Sequence, residues 1–109
     1  MKVVIAGSDE NGIADAIEAE GHTVTKAPLG NRPGLEEAGI HDADVYLLTE
    51  MEQATSIAVA KDLNPDLRVV VYAEGSLPDF ASRQADLVVD PNLLDPEAVA
   101  EELRALHED

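Results

Sequence analysis

The sequence predicts a doubly wound α/β sandwich built on a five-stranded parallel sheet. Three observations lead there: five short apolar runs recur along the chain, helix-like segments separate them, and the central runs are apolar at successive residues. Strands of a parallel sheet, covered on both faces, read in this way. The runs are KVVIA at 2–6, HTVTKA at 22–27, DVYLLT at 44–49, RVVVYA at 68–73 and DLVVD at 86–90. HTVTKA alternates polar with apolar residues and is placed at an edge. Right-handed crossovers with helices on both faces give the strand order 2-1-3-4-5.

The connecting segments follow in order. A first helix is expected over 11–20, with Ile13, Ala16 and Ile17 inward and Gly21 as its stop. GLEEAG at 34–39 offers only a short helical turn. EMEQATSIAVAKDLNP at 50–65 is longer, sets Ala54, Ile57, Ala58 and Lys61 along one side, and must end before Pro65. LPDFASRQA at 77–85 reads as a brief helix. The last helix opens with Asp95 as cap and Pro96 in the first helical position, then spaces Val99, Leu103 and Leu106 for one face.

The 109 residues show no linker, repeat or low-complexity segment, so one domain over 1–109 is expected. With no cysteine, disulfides, thiolate nucleophiles and cysteine metal sites are excluded. No apolar run approaches the roughly 20 residues that span a bilayer, and the chain enters a strand pattern directly; no membrane association and a cytoplasmic location are expected. Against 23 acidic residues stand only 7 basic ones, for a net charge of −16, which disfavours nucleic acid as a partner. The acids are dispersed, at Glu18, Glu20, Glu36, Glu37, Glu52, Asp62, Glu101 and Glu102 among others. With scarce lysine and few aromatic residues, this reads as a halophilic surface whose self-repulsion molar salt would screen.

The carboxyl ends of the strands are where such sheets bind ligands. Here that rim comprises 7–12, Thr49 and Glu50, 74–76 and Asp90. In VVIAGSDENGIADAI, at 3–17, Gly7, Ser8, Asp9, Glu10, Asn11 and Gly12 form the turn between the first strand and the first helix, with Thr49 beside them. Such a turn either cradles a phosphate on free backbone N–H groups or is a turn inherited from a nucleotide-binding ancestor. It is not an NTPase loop, because Ile13 and Ala14 stand where Lys and Ser/Thr are required. Asp9, Glu10, Glu50, Glu74 and Asp90 could hold Mg²⁺, or be rim acids of an acidic chain. His22, His41 and His107 lack metal-ligand spacing and read as surface residues, and no serine sits in a nucleophile elbow. Arg32, in GNRPG, is either a phosphate partner or a turn arginine.

LEEAGIHDADVYLLTEMEQATSIAVAKDLNPDLRVVVYAEG, the first loop and QADLVVDPNLLDPEAVAEEL together resemble the TrkA N-terminal or RCK family of potassium-uptake regulators. The resemblance implies a Rossmann-like, flavodoxin-like fold, a small nucleotide ligand such as NAD or another adenine nucleotide, and a regulatory role with a homodimer mate or other protein partner. Three departures point to weak or lost dinucleotide binding. Asp9 replaces the middle glycine of the family's loop, Lys26 and Ala27 stand where it carries the ribose-binding acid, and PLGNRPGLEEAG shortens the adenine side.

Two other readings compete with it. A nucleotide-metabolism enzyme of the CTP synthetase type would need an amidotransferase cysteine and a phosphate loop, and the chain has neither. The rim also resembles a response-regulator receiver, whose acid pair after the first strand matches Asp9 and Glu10. In that comparison Thr49 and Glu50 stand where the phosphoacceptor aspartate belongs, and Asp90 or Pro91 replaces the lysine. A pseudo-receiver acting through its last strand-helix units is the form this alternative takes.

Overall fold

The computed structural model describes residues 1–9 and 11–108. Glu10 lies outside the described residues, as does the side chain of His107. Five parallel strands, β1 (Lys2–Ala6), β2 (Thr23–Ala27), β3 (Val45–Leu48), β4 (Arg68–Tyr72) and β5 (Leu87–Val89), lie in the order β2-β1-β3-β4-β5. The helices are α1 (Ile13–Ala19), α2 (Arg32–Glu37), α3 (Ser56–Leu63), α4 (Asp79–Ser82) and α5 (Pro96–Glu108). The flavodoxin-like sandwich and its winding are as the apolar runs predict.

Period-two alternation divides the strands' side chains between two cores. Val4, Ala6, Tyr46, Leu48, Val69 and Val71 pack with Leu35, Ile57, Ala60 and Ala81, on the side of α2, α3 and α4. Val3, Ile5, Val45, Leu47, Val70 and Tyr72 pack on the other side with Ile13 and Ile17 of α1 and Val99 and Leu103 of α5. Leu103 and Ile17 are fully buried, each contributing roughly 1.5–3 kcal/mol of apolar transfer.

The boundaries shift for identifiable reasons. α2 begins at Arg32, before the expected Gly34, because Asn31 caps it: its Oδ1 accepts the Gly34 N–H at 2.9 Å. The segment over 50–65 does not form one helix. A 3₁₀ turn at Met51–Gln53 precedes α3, and the Ser56 hydroxyl donates to the Gln53 carbonyl at 2.6 Å, while the Ile57 N–H bonds Ala54 O instead. Lys61, expected along the inward side, donates Nζ to Leu67 O at 2.7 Å. At α5 the Asp95 Oδ1 accepts the Ala98 N–H at 2.9 Å, with Pro96 in the first helical position.

Candidate functional site

The rim begins where β1 ends. Gly7 turns with φ +101°, and a Cβ there would collide with Thr49 Oγ1, so only glycine lets the β1 turn lie against β3. Thr49 fastens the two strands: its N–H donates to Ala6 O at 3.0 Å, and its hydroxyl lies 2.6 Å from Ser8 O and 3.1 Å from Ala6 O. Beside it, Glu50 Oε2 accepts the Ser8 N–H at 3.1 Å, and Glu50 Oε1 accepts Gln53 Nε2 at 2.7 Å. Gln53 continues the chain of contacts. Its amide donates to Pro28 O at 3.2 Å, and its Oε1 accepts the Gly30 N–H at 2.7 Å.

Asp9, in the turn after β1, has both carboxylate oxygens engaged. Its Oδ1 accepts the Ala14 N–H at 3.3 Å at the start of α1, and its Oδ2 is 3.1 Å from Lys26 Nζ. Two departures from the dinucleotide pattern are therefore one feature: the loop acid and the lysine at the end of β2 form an ion pair. Lys26 stands in register with Ile5 on β1, which brings it alongside that turn.

Beyond β4 and β5 the rim is also self-satisfied. Asn92 Nδ2 donates to Glu74 Oε1 at 2.6 Å, and Asp90 Oδ1 accepts the Asn92 N–H at 2.8 Å. Tyr72 donates its hydroxyl to Leu94 O at 2.8 Å; burial, then the carboxylates of Asp95 and Glu97, push its pKa up. Between the halves lies a polar cleft of about 310 Å³ lined by Ser8, Asn11, Thr49, Tyr72, Glu74 and Asn92.

Of the sequence-predicted residues, Gly7, Ser8, Asp9 and Thr49 therefore come together with Glu50, while Asn11 lines the cleft and Gly12, at φ +74°, precedes α1. Among the described residues, no three His, Cys, Asp or Glu side chains cluster as metal ligands, Asp9, Glu50, Glu74 and Asp90 included. Arg32 pairs with Asp62 at 2.7 Å, away from the rim. Gln53 and Lys26 are the site residues the sequence reading missed. An acid in the first turn and a lone lysine closing the neighbouring parallel strand were the available signal for Lys26; Gln53 left none.

The comparisons with known proteins decide the family. Residues 3–103 match a family described as a family of unknown function (DUF7126). The chain belongs to that family. No curated protein matches it in sequence. Among solved structures it is similar to HP1043, an orphan response regulator of H. pylori, with TM-score 0.76 and 15% identity over 96% of this chain and 94% of that one. A CheY-like receiver domain from Methanospirillum hungatei aligns with TM-score 0.73 and 20% identity over 98% and 93%. An atypical orphan response regulator, described as revealing a new phosphorylation-independent regulatory mechanism, aligns with TM-score 0.74 and 16% identity over 96% and 93%. At these identities the shared property is the fold, and the fold of this DUF7126 member is that of receiver domains.

The resemblance to the TrkA N-terminal or RCK family is thereby overturned, and the NAD or adenine-nucleotide site it implied finds no support in these neighbours. The residues that carried the resemblance have structural employment. Asp44, from the Ala-Asp strand start, accepts the Lys2 N–H at 2.8 Å; Asn64, from the Asn-Pro turn, donates to Ile40 O and Ala43 O, each at 3.0 Å; Thr49 ties β3 to the β1 turn. In this chain these residues tether the strands and turns of the parallel sheet.

Proposed function

We propose that this DUF7126 protein is a receiver-fold interaction module that works without phosphotransfer and engages a protein partner, or a second copy, through its α4–β5–α5 side. The observation that carries the first half is at the end of β3. Where a receiver's phosphoacceptor aspartate belongs, Thr49 and Glu50 stand, and both are already bonded to the β1 turn. Asp9, the matching member of the acid pair, is held by Lys26 and the start of α1. Asp90 and Pro91 occupy the lysine's place after β5.

The second half rests on exposure. Val88 of β5 stands in register with the fully buried Val71, on the sheet face that α2, α3 and α4 cover. α4 has only four residues and leaves Val88 48% exposed, while Phe80 of α4 is 55% exposed. Exposed apolar residues on one side of a chain otherwise crowded with carboxylates mark a contact surface better than scattered single ones do. A photoreactive benzoylphenylalanine in place of Phe80 or Val88, introduced in the cells that make the protein, tests this. Cross-links to one protein, or to a second copy, at both positions and not at exposed Asp15 are expected. Cross-links equally frequent at Asp15, or none at 80 and 88, would remove the assignment.

A further inference from the structure

The opposite edge of the sheet carries a second opening. β2 pairs with β1 alone, and the Thr23 N–H bonds Met1 O. Because ladder bonds alternate along a strand, Val24 and Lys26 turn their N–H and C=O groups away from the sheet. Alongside runs a groove of about 530 Å³, with Thr25 and Ala27 on its strand side, Gly34 of α2 and Ala38 just past it opposite, and Pro28 and Leu29 at its end. Leu29 is 63% exposed.

We propose that the β2 edge and this groove take up an extended basic-apolar segment of a partner protein as an added sixth strand, a site separate from the α4–β5–α5 side. Three features fit that occupant. The outward backbone groups of Val24 and Lys26 supply ladder bonds, and the groove accepts every second side chain of the incoming strand. An edge lysine ordinarily guards against strand addition, but the Lys26 ammonium is drawn to Asp9 at 3.1 Å. Charge selects the partner: Glu37 lines the groove and has no ion-pair partner among the described residues, and the chain's net charge of −16 opposes a second copy here while attracting a basic segment.

Amide NMR of the ¹⁵N-labelled chain titrated with a synthetic peptide of alternating valine and lysine tests the site, with an alternating valine–glutamate peptide as control. Expected are shifts along 23–29 and at Glu37 and Ala38, slowed exchange of the Val24 and Lys26 amides, and no response to the acidic peptide. Glu37→Lys should weaken the basic peptide about tenfold, and Val24→Pro, which deletes one outward N–H, should abolish strand addition. Glu37→Lys keeps the test decisive should the proline variant fail to fold. Shifts confined to α4 and β5, equal binding of both peptides, unchanged exchange at Val24 and Lys26, or self-association through β2 without peptide would each overturn the proposal.

Discussion

Glu50, just past β3, places its Oε2 3.1 Å from the Ser8 backbone nitrogen in the turn after β1. That one carboxylate, which also receives Gln53 at 2.7 Å, links the first strand's turn to the turn after β2. Glu50→Ala removes both acceptors and leaves the Ser8 N–H to water, with an expected loss of about 1–2 kcal/mol. Glu50→Gln retains one carbonyl oxygen and should lose less. Urea unfolding of both variants at fixed KCl checks the ranking; equal stability of Glu50→Ala and wild type would show that the link is idle.

Tyr46 offers a pH signature. Its hydroxyl donates to Ser56 Oγ at 2.7 Å in the core, and burial pushes its pKa up to about 12 against the lesser, opposing effect of the Ser56 bond. The folded state then keeps a proton that the unfolded chain releases near pH 10. Stability from this group is therefore complete below about pH 10 and lost as pH rises toward about 12, by up to about 1.4 kcal/mol per pH unit. With two tyrosines and no tryptophan, tyrosinate absorbance reads it directly. Tyr46→Phe should flatten that alkaline slope at a cost of about 1 kcal/mol at neutral pH; an unchanged slope would contradict the assignment.

The start of α5 gives a sharper local test. Asp95→Ala should cost about 1 kcal/mol, because the Ala98 N–H loses its acceptor, while Pro96→Ala should be mild. Thermal unfolding of the pair checks this, and equal losses would remove Asp95 from the capping role.

Charge sets a fourth expectation. A net −16 on a small domain repels itself until ions screen it, so the unfolding midpoint should climb from dilute buffer to molar KCl. A midpoint indifferent to KCl would show that the dispersed acids are too well spaced to matter.

What could be read in the chain beforehand follows from how each feature is encoded. The strands and their order were legible because burial on both faces writes continuous apolar runs such as Val69, Val70 and Val71. The Asp95 cap was legible because a cap acts within three residues. The break before α3 was not, since it turns on whether the Ser56 hydroxyl takes the Gln53 carbonyl. The rim misled for a related reason: Asp9 and Lys26 were read as two missing dinucleotide features, and their pairing depends on the parallel register of β1 and β2. The family resemblance misled because Asp44, Thr49 and Asn64, which carried it, serve here as tethers of the sheet and its turns.

The central claim, that this receiver fold acts without phosphotransfer, is tested most directly by intact-mass measurement after incubation with acetyl phosphate and Mg²⁺. A receiver with a working acceptor gains one phosphoryl group that hydroxylamine removes, as an acyl phosphate must. The account predicts no such gain, because Thr49 and Glu50 occupy the acceptor's place and are engaged with the β1 turn. A stoichiometric, hydroxylamine-labile phosphoryl adduct on Glu50 or Asp9 would contradict it.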